Sequence, residues 1–467
     1  MWRVRPHRGS GNIGGDSFDR AIVVGASIAG LLTARVLADH FGQVTIVDRD
    51  VLRPDPVPRA GVPQSRHLHA MLPRGLQIIE AYFPGLSRQM QVAGAVPMDT
   101  GADIPWLTPQ GWGMKVRSGL VALSSTRDFL ECHIRRRVKE LGNVEFCPGT
   151  EVTGLLRAES GRIIGVRTRG RNGFRVFDER ALKSDLVVIA SGRQSTVAKW
   201  FSDVSLEVPP TSVIDAHIGY ASRIYRRSRH YNFLWQALIL QPAPPGVTRG
   251  GLIFAVEDDQ WQVTLLGGDR DYPPTDESAF LEFARSLRSP ELYDAIRDLK
   301  PLTPISGYRS TENRRYYFER VKEWPEGLIV TGDAACAFNP VYGQGMTAAA
   351  LEAAALSRLL MEYSGEGGLG RAFQAQLADI VKSPWTLATS ADLRFLSVQG
   401  AKAGFATRLM HRYVDRVLHL GTIDAWARQR FLEVQGMMRE VSAILKPDML
   451  WRVAVRSFGY PGMQQLQ

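Results

Sequence analysis

The strongest constraint on the fold of this chain is a βαβ pattern at its start. Residues 21–25 read AIVVG, the overlapping segment 25–30 reads GASIAG, and QVTIV at 43–47 is followed by Asp48. A short apolar run before a glycine-rich turn predicts a buried strand, and the apolar periodicity of residues 27–39 predicts a helix. The second apolar run predicts a parallel strand that ends at the acidic residue.

The small residues of this turn indicate a dinucleotide site. Gly25 permits the tight turn, Ser27 leaves room for a diphosphate, and Gly30 lets the helix pack closely on the strand. Asp48 stands where a carboxylate accepts hydrogen bonds from a ribose with free hydroxyls, which favours FAD or NAD over NADP. The alternative is an ordinary βαβ turn.

A second glycine-rich segment distinguishes between these dinucleotides. The apolar run GLIV at 327–330 is followed by TGDAACAFNPVYGQGM at 331–346, and an alanine-rich helix is predicted from Thr347. Asp333 at the strand end can hold a polyol chain, and a glycine-rich helix start offers N–H groups to an anion. In a flavin, that anion is the N1/C2=O edge of the reduced ring. The alternative is a glycine-rich loop that caps an ordinary helix.

Composition excludes several classes of protein. The chain has 467 residues, of which 45% are hydrophobic and 22% charged, so it is long enough for several packed domains and is not disordered or fibrous. No apolar run approaches the length of a membrane span or of a secretory signal, and we expect a cytoplasmic protein. The net charge of +10 is spread along the chain, which does not favour nucleic-acid binding.

Neither the cysteines nor the histidines predict a metal or disulfide site. Cys132, Cys147 and Cys336 are widely spaced and odd in number. His67 and His69 lack an acid or a third histidine at ligand spacing, so we expect no metal and assign both rings to packing or hydrogen bonds near the cofactor.

The pattern along the chain predicts an α/β protein with a second sheet. A helix is predicted to span 125–141 with Ser125 and Asp128 in capping-box spacing, and Asn172-Gly173 indicates a hairpin. Residues 211–268 alternate in hydrophobicity and are rich in aromatics, which predicts an antiparallel sheet. The expected division is a loose leader at 1–18, a discontinuous FAD-binding domain at 19–90, 120–205 and 306–362, a substrate domain at 91–119 and 206–305, and a helical C-terminal region at 363–467.

Two motifs together resemble a known family. Residues 59–69 read RAGVPQSRHLH, and the late segment contains GDAACAFNPVYGQGM. They resemble FAD-dependent monooxygenases of the para-hydroxybenzoate hydroxylase fold, over nearly the whole chain, and most closely the polyether-type olefin epoxidases and related tailoring hydroxylases. The resemblance implies a three-layer ββα FAD-binding domain of Rossmann type, an inserted antiparallel-sheet substrate domain and a helical C-terminal region.

The resemblance also implies which residues contact FAD. The expected cofactor-binding residues are Gly25, Ser27, Gly30, Asp48, Arg49, Arg59, Gln64, His67, Arg127, Asp333, Pro340, Gly343, Gln344, Gly345 and Met346. Those up to Asp48 would bind the ADP half, Arg127 would reach the cofactor from its helix start, and Pro340 to Met346 would line the isoalloxazine. No catalytic side chain is assigned, because the flavin performs the difficult step.

The implied activity is insertion of one oxygen atom from O2 into a hydrophobic small molecule of secondary metabolism, by epoxidation or hydroxylation through a flavin C4a-hydroperoxide. NAD(P)H is the expected electron donor. Ser191-Gly192-Arg193 stands where many single-component hydroxylases have Asp-Gly, so the nicotinamide either binds near Arg193 or a separate flavin reductase supplies reduced flavin.

Three alternatives remain open. A prenyl C=C reductase of related fold would use the same cofactor without oxygen. A halogenase is disfavoured because the sequence contains no WxWxIP segment. A non-catalytic flavin protein on a membrane surface is suggested by the basic, apolar tail at 444–459, although docking of that tail on the protein itself is preferred over membrane contact.

The aromatic residues offer candidates for the wall of a substrate cleft, although most are expected to be ordinary core side chains. They are Trp106, Trp112, Tyr220, Trp235, Phe254 and Trp261.

Overall fold

The computed structural model describes residues 19–172, 175–227, 234–365 and 367–456. The leader at 1–18, Gly173 of the predicted hairpin turn and the end of the tail therefore lie outside the described residues. The helices within these ranges are α1 Ile28–Leu37, α2 Pro73–Tyr82, α3 Leu86–Val92, α4 Arg127–Lys139, α5 Val197–Asp203, α6 Glu277–Arg285, α7 Glu291–Ile296, α8 Gly345–Glu362, α9 Leu369–Asp392, α10 Phe405–Ile423, α11 Ala425–Gln435 and α12 Pro447–Arg456.

The strands are β1 Arg20–Val24, β2 Gln43–Asp48, β3 Ala70–Met71, β4 Val96–Asp99, β5 Trp106–Thr108, β6 Gly111–Trp112, β7 Val121–Ser124, β8 Val144–Pro148, β9 Thr150–Arg157, β10 Ile163–Asn172, β11 Arg175–Lys183, β12 Leu186–Ile189, β13 Thr211–Ile214, β14 Gly219–Arg226, β15 Ala237–Leu240, β16 Arg249–Val256, β17 Gln260–Gly267, β18 Ser306–Tyr308, β19 Asn313–Tyr316, β20 Leu328–Val330 and β21 Cys336–Ala337.

A five-stranded parallel sheet forms the centre of the first half of the fold. Its order is β20-β12-β1-β2-β8, so the two strands that precede the glycine-rich segments, β1 and β20, flank β12. These strands are apolar and buried, as expected for a parallel sheet covered on both faces. Helix α1 packs on β1 and β2 and also against α8, while the antiparallel strands β9–β11 pack near β2 and β12. This is the expected α/β arrangement of an FAD-binding domain.

The aromatic-rich part of the chain forms a seven-stranded sheet in the order β18-β14-β17-β16-β15-β5-β6. Its pairs are antiparallel except for β15 with β5, which is contributed by the earlier insertion. One face packs on α6 and α7 around the fully buried Trp261 and Phe280. The sequence expectation of an inserted antiparallel sheet is thus confirmed.

The C-terminal region is helical, as expected. Helix α9 packs on α8 and β20, and α10 packs on α11 and α12. None of the helices that the structure describes has both the length and the apolar character required to cross a bilayer.

The structure differs from the sequence analysis at the start of α4. The helix begins at Arg127, and the side chain of Thr126, one residue after Ser125, accepts the capping hydrogen bond from the N–H of Phe129. Thr126 rather than Ser125 is the N-cap because its own N–H and hydroxyl both donate to the carboxylate of Glu257, the residue that follows β16. A tertiary contact therefore selects between two neighbouring residues with similar capping propensity.

Gly30 generates a test of the βαβ packing. A Cβ at this position would lie 1.8 Å from the Gly25 carbonyl oxygen, so Gly30→Ala forces α1 away from the turn. We expect the unfolding free energy to fall by about 1–3 kcal/mol, a typical cost of overpacking, measured by thermal or urea denaturation.

The matched control is Gly142→Ala, because a Cβ at Gly142 would meet no atom within 4 Å. Equal stability of the two variants would show that the close approach of α1 to the turn does not matter.

Candidate active site

One large cavity lies among the parallel sheet, the seven-stranded sheet and the C-terminal helices. Its volume is about 790 Å³, which is within the range of ligand pockets. All of the predicted cofactor residues line it except Gly30 and Gln344. Gly30 packs behind the turn, and the Gln344 side chain is buried, with no hydrogen-bond partner for its Oε1 in the described part of the chain.

The first end of the cavity is formed by the turn between β1 and α1. Gly25 has a φ of +108°, and a Cβ there would lie 2.5 Å from the Ala190 carbonyl oxygen of the neighbouring strand, so glycine is required. Ser27 is the N-cap of α1, and its side chain makes no capping hydrogen bond within the described residues. The first N–H groups of the helix are therefore available to an anion. The Asp48 carboxylate accepts a hydrogen bond from the Ala26 N–H at 2.6 Å, which fixes the acid beside the turn.

A buried ionic cluster surrounds this turn. The Ser27 hydroxyl donates to Glu131 at 2.7 Å and accepts from the Arg127 guanidinium at 2.8 Å. Arg59 donates to the other oxygen of Glu131 at 2.6 Å and lies 3.3 Å from Asp48. Burial lowers the pKa of Arg127, and its Nε has no partner among the described residues. The cluster therefore holds two arginines at the place where a diphosphate would lie.

The second glycine-rich segment forms the next part of the wall. Gly332 has a φ of +61°, and a Cβ there would lie 2.7 Å from the Ala29 Cβ in the first turn of α1. Asp333 follows, with its carboxylate oxygen 3.5 Å from the position of a Cβ on Gly345. Helix α8 begins at Gly345 without a side-chain cap. The two glycine-rich segments therefore meet, and two uncapped helix starts contribute to the same cavity.

Glu352 supports this segment from within α8. Its carboxylate accepts hydrogen bonds from the Thr331 hydroxyl at 2.6 Å and the Gly332 N–H at 2.7 Å. The side chain is 1% exposed, and burial raises the pKa of the carboxyl to about 7. The turn at Gly332 is thus held by an acid that sequence analysis did not identify.

A second buried acid, Asp392 at the end of α9, supports the loop before α8. It accepts hydrogen bonds from the Tyr342 hydroxyl at 2.5 Å and the Asn313 side chain at 2.6 Å. Asn313 in turn accepts from the Asn339 N–H at 2.8 Å, and the Tyr220 hydroxyl donates to the Asn339 side chain. Burial raises the pKa of Asp392 to about 7. The network ties the C-terminal region and the second sheet to residues 339–342 of the cavity wall.

The two histidines of the early motif line the cavity, and His67 is buried. His67 Nδ1 lies 2.8 Å from the Ser222 hydroxyl, and His69 Nδ1 lies 2.8 Å from the His67 carbonyl oxygen. Burial lowers the pKa of His67 to about 4 and that of His69 to about 3, so both are neutral at pH 7. No group of three potential metal ligands occurs among the residues for which side chains are described.

Arg193, the candidate nicotinamide contact, is engaged within the protein. Its guanidinium donates to the carbonyl oxygens of Glu312, at 2.6 Å, and Phe338. It is 7% exposed. These bonds connect the segment that follows β12 to residues 312 and 338.

The other end of the cavity is apolar. Of the aromatic candidates, Trp106, Tyr220 and Phe254 line it. Trp235 and Trp261 instead stack on each other at 5.3 Å, and Trp112 is 39% exposed outside the cavity lining. The C-terminal helices and the segment that follows α11 complete the wall with Leu387, Met410, Val414, Val417, Leu418, Phe431, Leu432, Val434 and Ile444.

The site fits a flavin dinucleotide. The turn after β1, with its uncapped helix start and buried arginines, is suited to a diphosphate, and the uncapped start of α8 is suited to a second anionic or electron-rich group. Asp333 lies between these two places, and glycines leave room along the route. This combination defines a dinucleotide-binding flavoprotein.

The comparisons with known proteins agree. The chain belongs to the FAD binding domain family, whose model matches residues 20–372. Protein Rv3254 of Mycobacterium tuberculosis (strain ATCC 25618 / H37Rv) is 31% identical over 390 residues, which are 82% of this chain and 81% of that protein.

Two solved structures illustrate the fold. The flavin-dependent brominase Bmp2 has a TM-score of 0.66 and 15% identity over 94% of this chain and 98% of its own. PqsL, "a probable FAD-dependent monooxygenase from Pseudomonas aeruginosa", has a TM-score of 0.59 and 17% identity over 81% of this chain and 97% of its own. The chain therefore has the fold shared by flavin-dependent monooxygenases and halogenases.

Asp333 provides a direct test of the site. We expect Asp333→Ala to be purified without bound flavin. The variant loses the carboxylate that would hold the polyol chain of the flavin midway along the cavity. The absorbance spectrum measures the flavin content, and circular dichroism checks that the variant is folded.

Asp203→Ala is the control, since Asp203 pairs with Lys199 on the surface. Full flavin absorbance in a folded Asp333→Ala protein would refute the assignment.

Glu352 generates a pH prediction. Because burial raises its pKa from 4.5 to about 7, the folded state binds more protons than the unfolded state in this interval, and this group makes stability fall as the pH rises through it. In Glu352→Gln the amide oxygen can still accept from Thr331 and Gly332. The Glu352 carboxyl lowers the free energy of unfolding by up to about 1.4 kcal/mol for each pH unit in this interval, and we expect the variant to lack that contribution.

Denaturant titrations across this pH interval measure the slope. Asp392 contributes a slope of the same sign, since its pKa is also raised to about 7, so the variant's slope is reduced and not abolished. An unchanged slope would show that Glu352 does not titrate there.

Proposed function

We propose that this protein is an FAD-dependent monooxygenase that inserts one oxygen atom from O2 into a hydrophobic small molecule, by epoxidation or hydroxylation. The predicted cofactor residues would bind FAD along the polar part of the cavity. The substrate would lie in the apolar part, between the second sheet and the C-terminal helices.

The observation that carries this proposal is the continuity of the cavity. The same space that begins at Gly25 and Ser27 passes Asp333 and Gly345 and ends among Leu240, Phe254 and residues of α10 and α11. A substrate in the apolar part would therefore face a flavin ring bound against the start of α8.

The bound, reduced flavin would supply the activation of O2, and the protein would supply position and environment. The uncapped N–H groups at the start of α8 stabilise negative charge on a neighbouring ring. The apolar side chains of α10 and α11 exclude water from the far end. Both contributions come from residues that need not exchange protons.

His67, Tyr220 and Tyr308 line the cavity and are uncharged at neutral pH, whereas Arg394, which also lines it, pairs with Asp415. His67 is neutral because burial lowers its pKa, and Tyr220 and Tyr308 stay protonated because burial raises theirs. These three neutral side chains favour a neutral substrate over an ionic one at the places where they face it.

The electron donor is part of the proposal. NAD(P)H would reduce the flavin either directly or through a separate flavin reductase. Arg193 lines the cavity while its guanidinium donates to the carbonyl oxygens of Glu312 and Phe338, and this geometry is compatible with both routes.

The proposed activity can be tested with the purified protein. We expect a flavin spectrum, and oxidation of NADH or NADPH, alone or with an added flavin reductase, that is stimulated by a suitable polyene or phenol and coupled to consumption of O2. Incorporation of one atom of labelled O2 into the product, seen by mass spectrometry, identifies the reaction as monooxygenation.

Two other results would replace the proposal. Product formation without O2 and with a reduced C=C bond would indicate a prenyl reductase. A product that contains bromine or chlorine, formed only with added halide, would indicate a halogenase; no lysine is found among the described residues that line the cavity.

A further inference from the structure

Helix α10 separates the cavity from the outside of the protein. One face of α10 lines the cavity through Met410, Val414, Val417 and Leu418. The opposite face exposes large apolar side chains: Phe405 is 77% exposed, Leu409 57% and Ile423 58%. A wall one helix thick therefore has an apolar surface on both sides.

The exposed side chains form one stripe. Phe405, Leu409, Arg412, Arg416 and Ile423 are all exposed and follow each other at steps of four, three, four and seven residues, the spacing of one helical face. The helix has 19 residues, so the stripe is about 28 Å long at 1.5 Å per residue.

The stripe and the surface beside it are basic as well as apolar. Lys402, Arg408, Arg412 and Arg416 are exposed, and no carboxylate of the described chain lies within ion-pair distance of any of them. Residues 396–423 contain one acid, Asp415, which pairs with Arg394 at 2.9 Å. This surface therefore attracts an anionic partner.

Exposed apolar residues are concentrated in this region of the protein. Of the 17 large hydrophobic side chains that are exposed in the described chain, eight lie between residues 396 and 456. They include Leu396, which is 79% exposed, and Trp451 of α12, which is 60% exposed. Helix α12 packs against α10, so exposed apolar side chains occur on two neighbouring helices.

We propose that α10, together with the exposed part of α12, docks on an anionic lipid surface. Arginine interleaved with Phe, Leu and Ile along one face matches the membrane interface, where phosphate groups and acyl carbons lie side by side. An acidic protein partner would satisfy the arginines, but it would leave the apolar side chains in need of a complementary groove. A lipid surface accommodates both types of side chain without a complementary groove.

Docking in this way would bring the lipid phase to the outer side of the cavity wall. If the proposed function is correct, an apolar substrate dissolved in lipid would then lie one helix away from its binding site. This consequence rests on the proposed function, whereas the docking itself does not.

The test is sedimentation of the full-length, flavin-loaded protein with vesicles. We expect binding to vesicles of phosphatidylglycerol and phosphatidylcholine, weak binding to phosphatidylcholine alone, and loss of binding at high salt. Replacing Arg408, Arg412 and Arg416 together by Gln should weaken partitioning by at least about tenfold, since each basic residue near an anionic surface contributes about fivefold. Phe405→Ser with Leu409→Ser should also weaken it.

Matched controls come from another surface. Arg285, Arg297 and Lys300 are exposed, and their replacement by Gln removes the same charge; Val92→Ser with Val208→Ser removes exposed apolar groups. The controls should bind as the wild type does, and unchanged flavin absorbance shows that every variant is folded.

Three results would overturn the proposal. The first is a wild-type protein that stays in the supernatant with anionic vesicles. The second is a loss of binding that is equal in the α10 variants and the controls. The third is retention on immobilised polyglutamate, sensitive to the arginine changes, without any vesicle binding, which would assign the surface to an acidic protein instead.

Discussion

The contact between Gly332 and Ala29 determines the arrangement of the site. Because Gly332 has no side chain and adopts a left-handed conformation, the turn after β20 can lie against the first turn of α1. The packing of α1 on α8 then brings both helix starts to one cavity. Helix starts attract negative charge over short distances, so their convergence is what makes this cavity suitable for an anionic dinucleotide.

This arrangement is maintained by polar groups in the interior. Glu352 bonds to Thr331 and Gly332, and Asp392 bonds to Tyr342 and Asn313. Both acids are almost completely buried, and burial raises the pKa of each to about 7. Each satisfies donors that would otherwise be unpaired in the core, where an unsatisfied group is costly. The glycines of this segment allow many backbone conformations, and the hydrogen bonds to its neighbours select one of them.

Sequence analysis predicted the features that depend on residues close together in the chain. Gly25, Asp48 and Asp333 stand at strand ends, and the cavity includes them because parallel strands end at one edge of the sheet. The alternating pattern after residue 211 likewise predicted the second sheet. Glu131 could also have been found, since it lies one helical turn after Arg127.

The remaining features depend on contacts between distant segments. Asp392 has no distinguishing neighbours in sequence, and its role follows only from the meeting of α9 with residues 313 and 342. Strand β9 and helices α2 and α3 were not predicted. The distinction between Trp106, which lines the cavity, and Trp261, which fills the core, depends on which face of the sheet each occupies.

Hydrogen exchange measured by mass spectrometry, with and without FAD, tests the central claim most directly. If both glycine-rich segments hold one cofactor, FAD will slow amide exchange in peptides that cover residues 25–32 and in peptides that cover residues 332–350. Protection of one segment alone, or of neither, would contradict the convergence of the two helix starts on a single flavin.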